Sequence, residues 1–301
     1  MRSPSWVGVI CIALLTLMSV KVNAQTEIVI GAGALANPPA NSSTNDHGPI
    51  YRSTAASAFD YSIHHHLFTA SELASIPSGS TITKISWYLN NGAATVGNAQ
   101  KMNIYMKNSA LSNLPAPPQT LAALTSGSTL TYASTSQQII STVGWVDFVL
   151  TTPIVYTGGG LEVTIDWDIS NVVGSPTTNS FVWRNDLITG KVLSYISSVS
   201  GTTLNNARTA RAQTKFTYTP CTSSSTNTQV SCDSYTWAEN GQTYSTSGTY
   251  TATSINGSGC VHTSTLNLTI HNSTTNGSAT IYSCTPYTWL ENGNTYTASG
   301  V

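Results

Sequence analysis

A motif of about twenty residues occurs twice near the end of the chain and limits the folds that this region can adopt. The stretch SCDSYTWAENGQTYSTSGTY begins at Ser231, and SCTPYTWLENGNTYTASGV begins 52 residues later at Ser283. Twelve of the 19 aligned positions are identical, among them a cysteine, a tryptophan and an Asn-Gly pair. Self-similarity at a fixed period is the signature of tandem structural units. The sequence therefore predicts repetitive β-structure here rather than a catalytic site.

Each repeat is expected to be a small β-unit held by a disulfide bond. Cys232 and Cys260 enclose 28 residues, and a unit of roughly 50 residues buries too little apolar surface to fold without a cross-link. Closing this loop is worth roughly 3–4 kcal/mol on the chain-entropy relation. We therefore predict a Cys232–Cys260 disulfide. The partner of Cys284 is expected beyond Val301, and the partner of Cys221 is undetermined.

The core of the first repeat is expected to be aromatic. Four side chains supply it, because each aromatic ring buries a large area: Tyr235, Trp237, Tyr244 and Tyr250. An Asn-Gly pair follows the tryptophan and is typical of a tight hairpin turn. The segments on either side of this pair are therefore expected to form paired strands.

The composition changes abruptly at Cys221. No Lys or Arg follows Lys215, and 33 of the last 81 residues are Ser or Thr. Such a tract is typical of disorder, but the repeated motif and its aromatic residues favour small folded units. The predicted segments are a Ser/Thr linker at 220–230, a first β-repeat at 231–270, a second linker at 271–282 and a truncated second β-repeat at 283–301.

The first part of the chain, 25–219, alternates short runs of β-branched and aromatic residues with clusters of Gly, Pro, Asn and Ser. In the run LEVTIDWDI, which starts at Leu161, apolar and polar residues alternate as in a half-buried strand. Eight or more such runs favour two packed antiparallel sheets. The sequence thus predicts an all-β fold, an N-terminal jelly-roll-like β-sandwich followed by small disulfide-linked, Ig-like β-repeats. Only Thr69–Ile76 has the pattern of a helical turn.

The N-terminus has the pattern of a secretory signal peptide, Met1–Ala24, with cleavage between Ala24 and Gln25. Arg2 precedes an apolar stretch, and small residues precede the cleavage position, as signal peptidase requires. An uncleaved membrane anchor is the alternative. No later segment is apolar and long enough to cross a bilayer. The mature chain is therefore expected to be secreted, or attached to the outer cell surface.

The charge of the chain argues against nucleic acid as a partner. Only 8% of the residues are charged, and removal of Arg2 and Lys21 leaves nine basic and twelve acidic residues, a net charge near −3. No run of Lys and Arg is available to contact a phosphate backbone.

The repeat resembles the modules of large secreted proteins from Bacteroidetes, in which CDSYTW, SGTYT, GC and LNLTI recur in tandem Ig-like arrays. The likeness covers Ser231–Ile270 and, in part, 283–301. The first domain is similar, through IVIGAG, HHHLFTASEL and ITKISWYLNN, to β-sandwich domains that open such proteins. The resemblance implies export by a type IX secretion system and a role as an adhesin or as an accessory domain of a secreted enzyme.

Three consecutive histidines, His64, His65 and His66, are the first candidates for chemistry. In a strand, His64 and His66 share a face and could present two imidazoles to a metal. No Cys, Asp or Glu spacing completes a set of four ligands, so solvated or hydrogen-bonded strand histidines are the preferred interpretation. We therefore predict no metal site and no cofactor.

Two further groups of polar residues could form sites. Asp166 and Asp168 share a face in a strand, and paired carboxylates can serve glycoside hydrolysis or bind Ca²⁺, but a solvent-facing row explains them more simply. The segment Phe181–Asp186 combines Trp183 with Arg184, a set that can hold sugars, although a core tryptophan is preferred. No nucleophile-elbow, metalloprotease or phosphate-loop motif occurs, so no catalytic residue is predicted.

The expected function is that of a non-catalytic, secreted or cell-surface adhesin-like protein with a β-sandwich head on a repeat stalk. Its expected partner is an extracellular surface or a polysaccharide. Repeats extend the reach of a binding domain and add multivalency. The alternative is an accessory, glycan-binding region of a larger secreted hydrolase whose catalytic domain lies beyond residue 301.

Overall fold

The computed structural model of the chain describes residues 25–33, 48–51, 59–91, 95, 99–172, 181–273, 282–290 and 293–298. The predicted signal peptide, Met1–Ala24, lies outside the described residues, as does most of the predicted linker at 271–282. Within the described part strands dominate, and the single α-helix has five residues. No described helix is both long and apolar enough to cross a membrane.

Thirteen strands and this short helix build the first domain. The strands are β1 (Thr26–Ile30), β2 (Tyr61–Phe68), β3 (Thr81–Asn91), β4 (Lys101–Ser109), β5 (Gln119–Thr120), β6 (Thr129–Ser134), β7 (Gly144–Val155), β8 (Gly160–Asp168), β9 (Val182–Trp183), β10 (Asn185–Ser197), β11 (Thr203–Leu204), β12 (Asn206–Ala212) and β13 (Thr214–Thr219). Helix α1 (Leu121–Thr125) lies between β5 and β6.

These strands form two main sheets. One has the order β1-β13-β3-β7, with β9 also pairing with β3, and the other has the order β12-β10-β2-β8-β4-β6. The chain crosses between the sheets from β2 to β3, from β3 to β4, and from β6 through β7 to β8. Such repeated crossing is the connectivity of a jelly roll. The predicted all-β sandwich is confirmed.

The core between the two sheets follows the alternation expected from the sequence. The inward residues of β8 are Leu161, Val163, Ile165 and Trp167, and each is at most 1% exposed. The inward residues of β4 are fully buried, and they are Met102, Ile104 and Met106. Burying a side chain of this kind stabilises the fold by about 1.5–3 kcal/mol. These two strands therefore supply much of the apolar contact between the sheets.

The helical pattern at Thr69–Ile76 forms a hydrogen-bonded turn. The N–H groups of Glu72 and Leu73 donate to the Thr69 carbonyl, and the Glu72 carboxylate accepts from the Thr69 N–H at 2.8 Å. The Thr69 hydroxyl donates to the same carboxylate at 2.9 Å, so the Glu72 side chain closes the turn onto Thr69. Arg211, which is 5% exposed, forms an ion pair with Glu72, so the turn is fastened to β12.

Seven further strands follow the sandwich. They are β14 (Thr222–Cys232), β15 (Tyr235–Thr236), β16 (Thr243–Tyr244), β17 (Gly248–Ile255), β18 (Val261–His271), β19 (Tyr287–Trp289) and β20 (Asn294–Tyr296). Strands β14, β18 and β17 form one sheet in that order, parallel between β14 and β18 and antiparallel between β18 and β17. Strands β15 and β16 form a hairpin, and so do β19 and β20.

The segment 220–230, predicted as a Ser/Thr linker, is instead most of strand β14. It pairs with β18 along its whole length. Serine side chains contribute to this pairing, because Ser223 Oγ lies 2.7 Å from Nδ1 of His262 and Ser225 Oγ lies 2.9 Å from its Nε2. The first repeat therefore begins at the start of β14 rather than at residue 231.

Replacing His262 with alanine is expected to loosen β14, since a neutral hydrogen bond contributes about 0.5–1.5 kcal/mol and two are lost. Hydrogen–deuterium exchange should become faster in β14 than in β17. His271→Ala, at the far end of β18, is the matched control and should leave exchange at the start of β14 unchanged. Unchanged protection of β14 in His262→Ala would show that the serine–histidine contacts do not stabilise the parallel pair.

The core of the first repeat is aromatic, as predicted. Trp237 is 3% exposed and packs with Leu266 and Leu268 of β18. The three predicted tyrosines pack against this cluster, and they are Tyr235, Tyr244 and Tyr250. Gly241 has a φ of +68°, which suits glycine, and its N–H donates to the Trp237 carbonyl at 2.8 Å. The predicted hairpin turn is confirmed.

The predicted Cys232–Cys260 disulfide is wrong. The structure pairs Cys221 with Cys260, with Cα atoms 5.0 Å apart, and Cys232 with Cys284, with Cα atoms 6.0 Å apart. The reason is the parallel register, which places Cys221 and Cys260 side by side just before β14 and β18. Cys232 ends β14 at the opposite end of the sheet, about 36 Å away at 3.3 Å per residue. A disulfide spans at most about 7 Å between Cα atoms. The expectation that Cys284 pairs beyond Val301 is also wrong.

The second hairpin repeats the first at the 52-residue offset. Tyr287 pairs with Tyr296 as Tyr235 pairs with Tyr244, and a threonine pair is hydrogen-bonded across each hairpin, at 2.7 and 2.8 Å. The tryptophans differ, because Trp289 is 45% exposed and its counterpart in the first hairpin is 3% exposed. The hairpin therefore forms in the same register whether or not a sheet covers its tryptophan.

The first disulfide of the repeat contacts the sandwich. The Sγ atoms of Cys221 and Cys260 lie 2.9 and 3.4 Å from the carbonyl oxygen of Ser78. The Cys221 N–H also donates to Ser80 Oγ at 3.4 Å. Both serines lie just before β3, so this disulfide lies at the boundary between the sandwich and the repeat.

Candidate binding surface

The outer face of the sheet β1-β13-β3-β7 carries a pair of large aromatic side chains. Tyr88 on β3 lies directly opposite Trp145 on β7, and such cross-strand neighbours have Cβ atoms about 5 Å apart. Both side chains are half-buried. Their ring centroids are 5.3 Å apart and their planes meet at 82°. This edge-to-face contact holds both rings in place.

Two cations lie over this aromatic pair. The Cζ atom of Arg184 lies 4.0 Å from the Tyr88 ring centroid, and the Nζ atom of Lys215 lies 5.0 Å from the Trp145 ring centroid. The Arg184 N–H donates to the Tyr88 carbonyl at 3.0 Å, which fixes the backbone beneath the guanidinium. Exposed contacts of this kind contribute about 0.5–1 kcal/mol each. We call Arg184, Tyr88, Trp145 and Lys215 the cation–aromatic row.

The lysines in and beside the row are paired with carboxylates, whereas the arginine is not. Lys215 Nζ lies 3.2 Å from Glu27 Oε1, and Lys84 Nζ lies 2.7 Å from Asp147 Oδ2. Burial alone would raise the pKa of Asp147, but the hydrogen bond from Lys84 outweighs it and lowers the pKa. Among the described residues, no carboxylate forms an ion pair with Arg184. The row therefore keeps one uncompensated positive charge.

A cleft of about 460 Å³ adjoins the row at Trp145. It lies along the segment that leads into β7, and its lining includes Gln138, Ile140, Thr142, Val143, Trp145 and Asp147. Two of the apolar residues are solvent-exposed, since Ile140 is 67% and Val143 is 55% exposed. Ligand sites combine apolar walls with a few polar groups that fix orientation. An indole ring beside an amide, a hydroxyl and a carboxylate has this composition.

The sugar-binding candidate Phe181–Asp186 is divided between the core and this surface. Trp183 is buried, and its Nε1 donates to a backbone carbonyl at 2.8 Å, so the preferred core interpretation is confirmed. Only Arg184 contributes to the cation–aromatic row. Tyr88 and Trp145 were not predicted as site residues, because their paired strands are far apart in the sequence. Their signal in the sequence is that each aromatic occupies an outward position in a strand whose inward positions are already apolar.

His64, His65 and His66 lie in strand β2, as predicted, but all three are fully buried and none is solvated. The strand is central in its sheet, and both of its faces are covered. His64 and His66 share a face, with ring centroids 6.2 Å apart, and His65 points to the other. Among the described residues, no group of three or more His, Cys, Asp or Glu is placed to hold a metal ion.

His65 belongs to a hydrogen-bonded network. Its Nδ1 lies 2.7 Å from Thr164 Oγ1, and its Nε2 lies 3.1 Å from Glu162 Oε2. Glu162 also accepts from Ser109 Oγ at 2.6 Å and lies 3.3 Å from Lys107 Nζ. Burial alone would raise the pKa of Glu162, but the hydrogen bonds from His65 and Ser109 outweigh it and lower the pKa to about 2. The carboxylate is therefore engaged in holding strands together.

His66 is buried, and neither of its ring nitrogens has a hydrogen-bond partner within the described part of the chain. Burial holds its pKa well below the ordinary value of 6.5, so the imidazole is neutral in the folded protein. The unfolded chain binds a proton that the folded chain does not. The contribution of the neutral His66 to the free energy of unfolding is therefore complete above pH 6.5 and decreases as the pH falls below that value.

His66→Leu is expected to raise the free energy of unfolding at neutral pH by about 1 kcal/mol, because it removes an unsatisfied buried polar group. It should also reduce the loss of stability as the pH falls below 6.5, and the remaining loss in this range is due to His65, whose pKa is also lowered by burial. Below pH 4.5 a second loss, due to the lowered pKa of Glu162, should persist in the variant. Urea unfolding across this pH range measures both effects, with His271→Ala as the control histidine. A pH profile unchanged from that of the parent protein would contradict the assignment.

Asp166 and Asp168 lie on one face of β8, as predicted, although both are half-buried rather than fully solvent-facing. Burial raises the pKa of Asp166, a hydrogen bond from Asn103 opposes the shift, and the charge of Asp168 adds to it. Asp168 Oδ1 accepts from the Ser170 N–H at 2.9 Å, and its Oδ2 lies 3.8 Å from Lys101 Nζ. The interactions of these carboxylates are thus with neighbours on their own sheet and in the following turn.

No protein-family model matches the chain, and a search of curated proteins found no match either. The cation–aromatic row and its cleft therefore carry the functional inference.

Proposed function

We propose that the chain is a non-catalytic, secreted or cell-surface adhesin-like protein, in which the sandwich is the binding head and the repeats are the stalk. The observation that carries this proposal is the cation–aromatic row beside its cleft. Its rings are held by mutual contacts, its arginine has no carboxylate partner among the described residues, and it lies on an open sheet face. A surface of this kind suits the recognition of another molecule rather than the making or breaking of bonds.

Two further observations support an extracellular role. The described chain has two disulfides, and disulfides persist in oxidising compartments outside the cytosol. The N-terminal sequence has the pattern of a signal peptide. A stalk with these cross-links would hold a binding head away from the surface that bears it.

A second candidate function is that of an accessory domain of a larger secreted hydrolase. The cleft at Trp145 favours it, because a combination of indole, amide, hydroxyl and carboxylate groups suits the hydroxyl-rich and apolar faces of a sugar. In this alternative the sandwich binds the polysaccharide substrate and keeps the catalytic domain of the hydrolase close to it. The two functions share a binding head and differ in what is attached to it.

A retention assay on residues 25–301 tests the proposal. The labelled protein is applied to surfaces coated with polysaccharides, extracellular matrix proteins or lipids, and release of soluble sugar or peptide is followed in parallel. We expect saturable retention on at least one surface without release of product. Absence of retention on every surface would overturn the adhesin-like proposal, and retention with product release would show that the chain is an enzyme.

A further inference from the structure

The guanidinium of Arg184 is presented in a way that suits a bidentate anion. Its Cζ atom lies over the Tyr88 ring, 4.0 Å from the ring centroid, and an aromatic ring does not take up the N–H donors as a carboxylate would. A guanidinium carries five N–H donors in one plane, arranged as a fork. Their fork matches the two oxygens of a carboxylate, or two oxygens of a sulfate, better than a lysine ammonium does.

The carboxylates nearby do not satisfy this arginine. The closest acid in the sequence, Asp186, accepts the N–H groups of Ala32 and Gly33 at 3.2 and 3.1 Å. Asp147, at the cleft, is held by Lys84 at 2.7 Å. Asp186 and Asp147 therefore already have partners in the protein, and neither occupies the guanidinium of Arg184, which remains available to an anionic ligand.

The rest of the row offers contacts of a different kind. Trp145 stands at the border between the row and the cleft. The C–H groups on one face of a sugar ring can pack against an aromatic ring such as that of Trp145, and its hydroxyls can bond to polar groups of the cleft such as the Thr142 hydroxyl. A ligand that fills both parts needs a sugar ring for the indole and an acidic group for the guanidinium.

We infer that the cation–aromatic row and its cleft bind acidic saccharides, with Arg184 taking the carboxylate or sulfate and Trp145 stacking on the sugar ring. This inference deepens the proposed function and rests on it. A nucleic acid fits less well, because a phosphate backbone needs several unpaired cations, the lysines here are already paired, and the whole chain is net negative.

Binding of residues 25–301 to soluble polymers tests the inference. Isothermal titration at about 0.15 M salt, where distant charges are screened, compares polygalacturonate, dextran sulfate and uncharged dextran. We expect heat with polygalacturonate, dextran sulfate or both, which identifies the anion, and none with dextran. If uncharged dextran binds as tightly as the acidic polymers, the acidic group of the ligand does not contribute to binding, and the inference is overturned.

Variants separate this surface from general electrostatics. Arg184→Gln and Trp145→Ala are each expected to weaken binding by about tenfold or more, and Arg184→Lys by less, because it keeps the charge but loses the fork. Lys101→Gln, a charge change on the other sheet, and Trp289→Ala, an exposed tryptophan in the second hairpin, are the matched controls. Both should stay within about twofold of the parent, a difference of roughly 0.4 kcal/mol. Circular dichroism and melting temperature verify that each variant is folded.

The outcomes distinguish this inference from the proposed function. An equal loss in Arg184→Gln and Lys101→Gln would show nonspecific charge attraction and overturn the inference. No binding to either acidic polymer, together with retention on another surface in the assay above, would overturn the inference and leave the adhesin-like function standing. No binding in either assay would remove both.

Discussion

Trp237→Ala is expected to unfold the first repeat and leave the sandwich intact. The indole is 3% exposed in a cluster whose other fully buried members are Leu266 and Leu268. Truncating a buried tryptophan costs about 3–5 kcal/mol, which approaches the whole stability of a core this small. Trp289→Ala changes the corresponding residue of the second hairpin, which is 45% exposed. It should cost a small fraction of that amount.

Two proteases measure the effect separately in each region. No Lys or Arg follows Lys215, so trypsin can cleave only in the sandwich, whereas chymotrypsin can also cleave at the aromatic residues of the repeats. We expect Trp237→Ala to become sensitive to chymotrypsin in the first repeat while its resistance to trypsin is unchanged. Resistance of this variant to both proteases would show that the repeat core does not depend on its tryptophan.

Removing the disulfide between Cys221 and Cys260 is expected to have the next largest effect. The cross-link closes a loop of 39 residues, which the chain-entropy relation values at about 4 kcal/mol. The double variant Cys221→Ser, Cys260→Ser avoids an unpaired thiol. We expect faster amide exchange throughout β14 and β18, with the sandwich sheets unaffected.

The second disulfide supplies the matched control. The variant Cys232→Ser, Cys284→Ser should release the β19–β20 hairpin, because that hairpin has little core of its own, and leave exchange at the start of β14 close to that of the parent. Peptide mapping of the unreduced parent protein should join Cys221 to Cys260. A Cys232–Cys260 peptide would contradict the parallel register of β14 and β18.

Local pattern was sufficient to predict most of the sandwich. The alternation in β8 and β4 identified the inward faces correctly, because side chains in a strand point to opposite sides in turn. The segment Thr69–Ile76, predicted as the only helical turn, forms a hydrogen-bonded turn, whereas the five-residue helix α1 (Leu121–Thr125) was not predicted. The aromatic core of the first repeat followed from residue type and from the Asn-Gly turn.

Features that depend on distant parts of the chain were not predicted. Strand β14 has the composition of a linker, and only its pairing with β18 and its contacts with His262 make it a strand. The disulfide prediction failed for the same reason, since loop length alone does not reveal a parallel register. The cation–aromatic row brings together Tyr88, Trp145 and Arg184 from separate strands. The spacing of these residues along the sequence does not indicate that they lie close together.

The pair of disulfides has a mechanical consequence. Tension entering from the sandwich at Cys221 has a short covalent route to Cys284, along β14 to Cys232 and then across the second sulfur bridge. That route contains eleven residues beyond Cys221, and they already lie in an extended strand, about 36 Å long at 3.3 Å per residue. The remainder of the first repeat, including its aromatic core, lies outside the loaded path. A pulling force applied between the sandwich and Cys284 would therefore be carried by β14 and the second disulfide, without unfolding the rest of the first repeat and without lengthening this route.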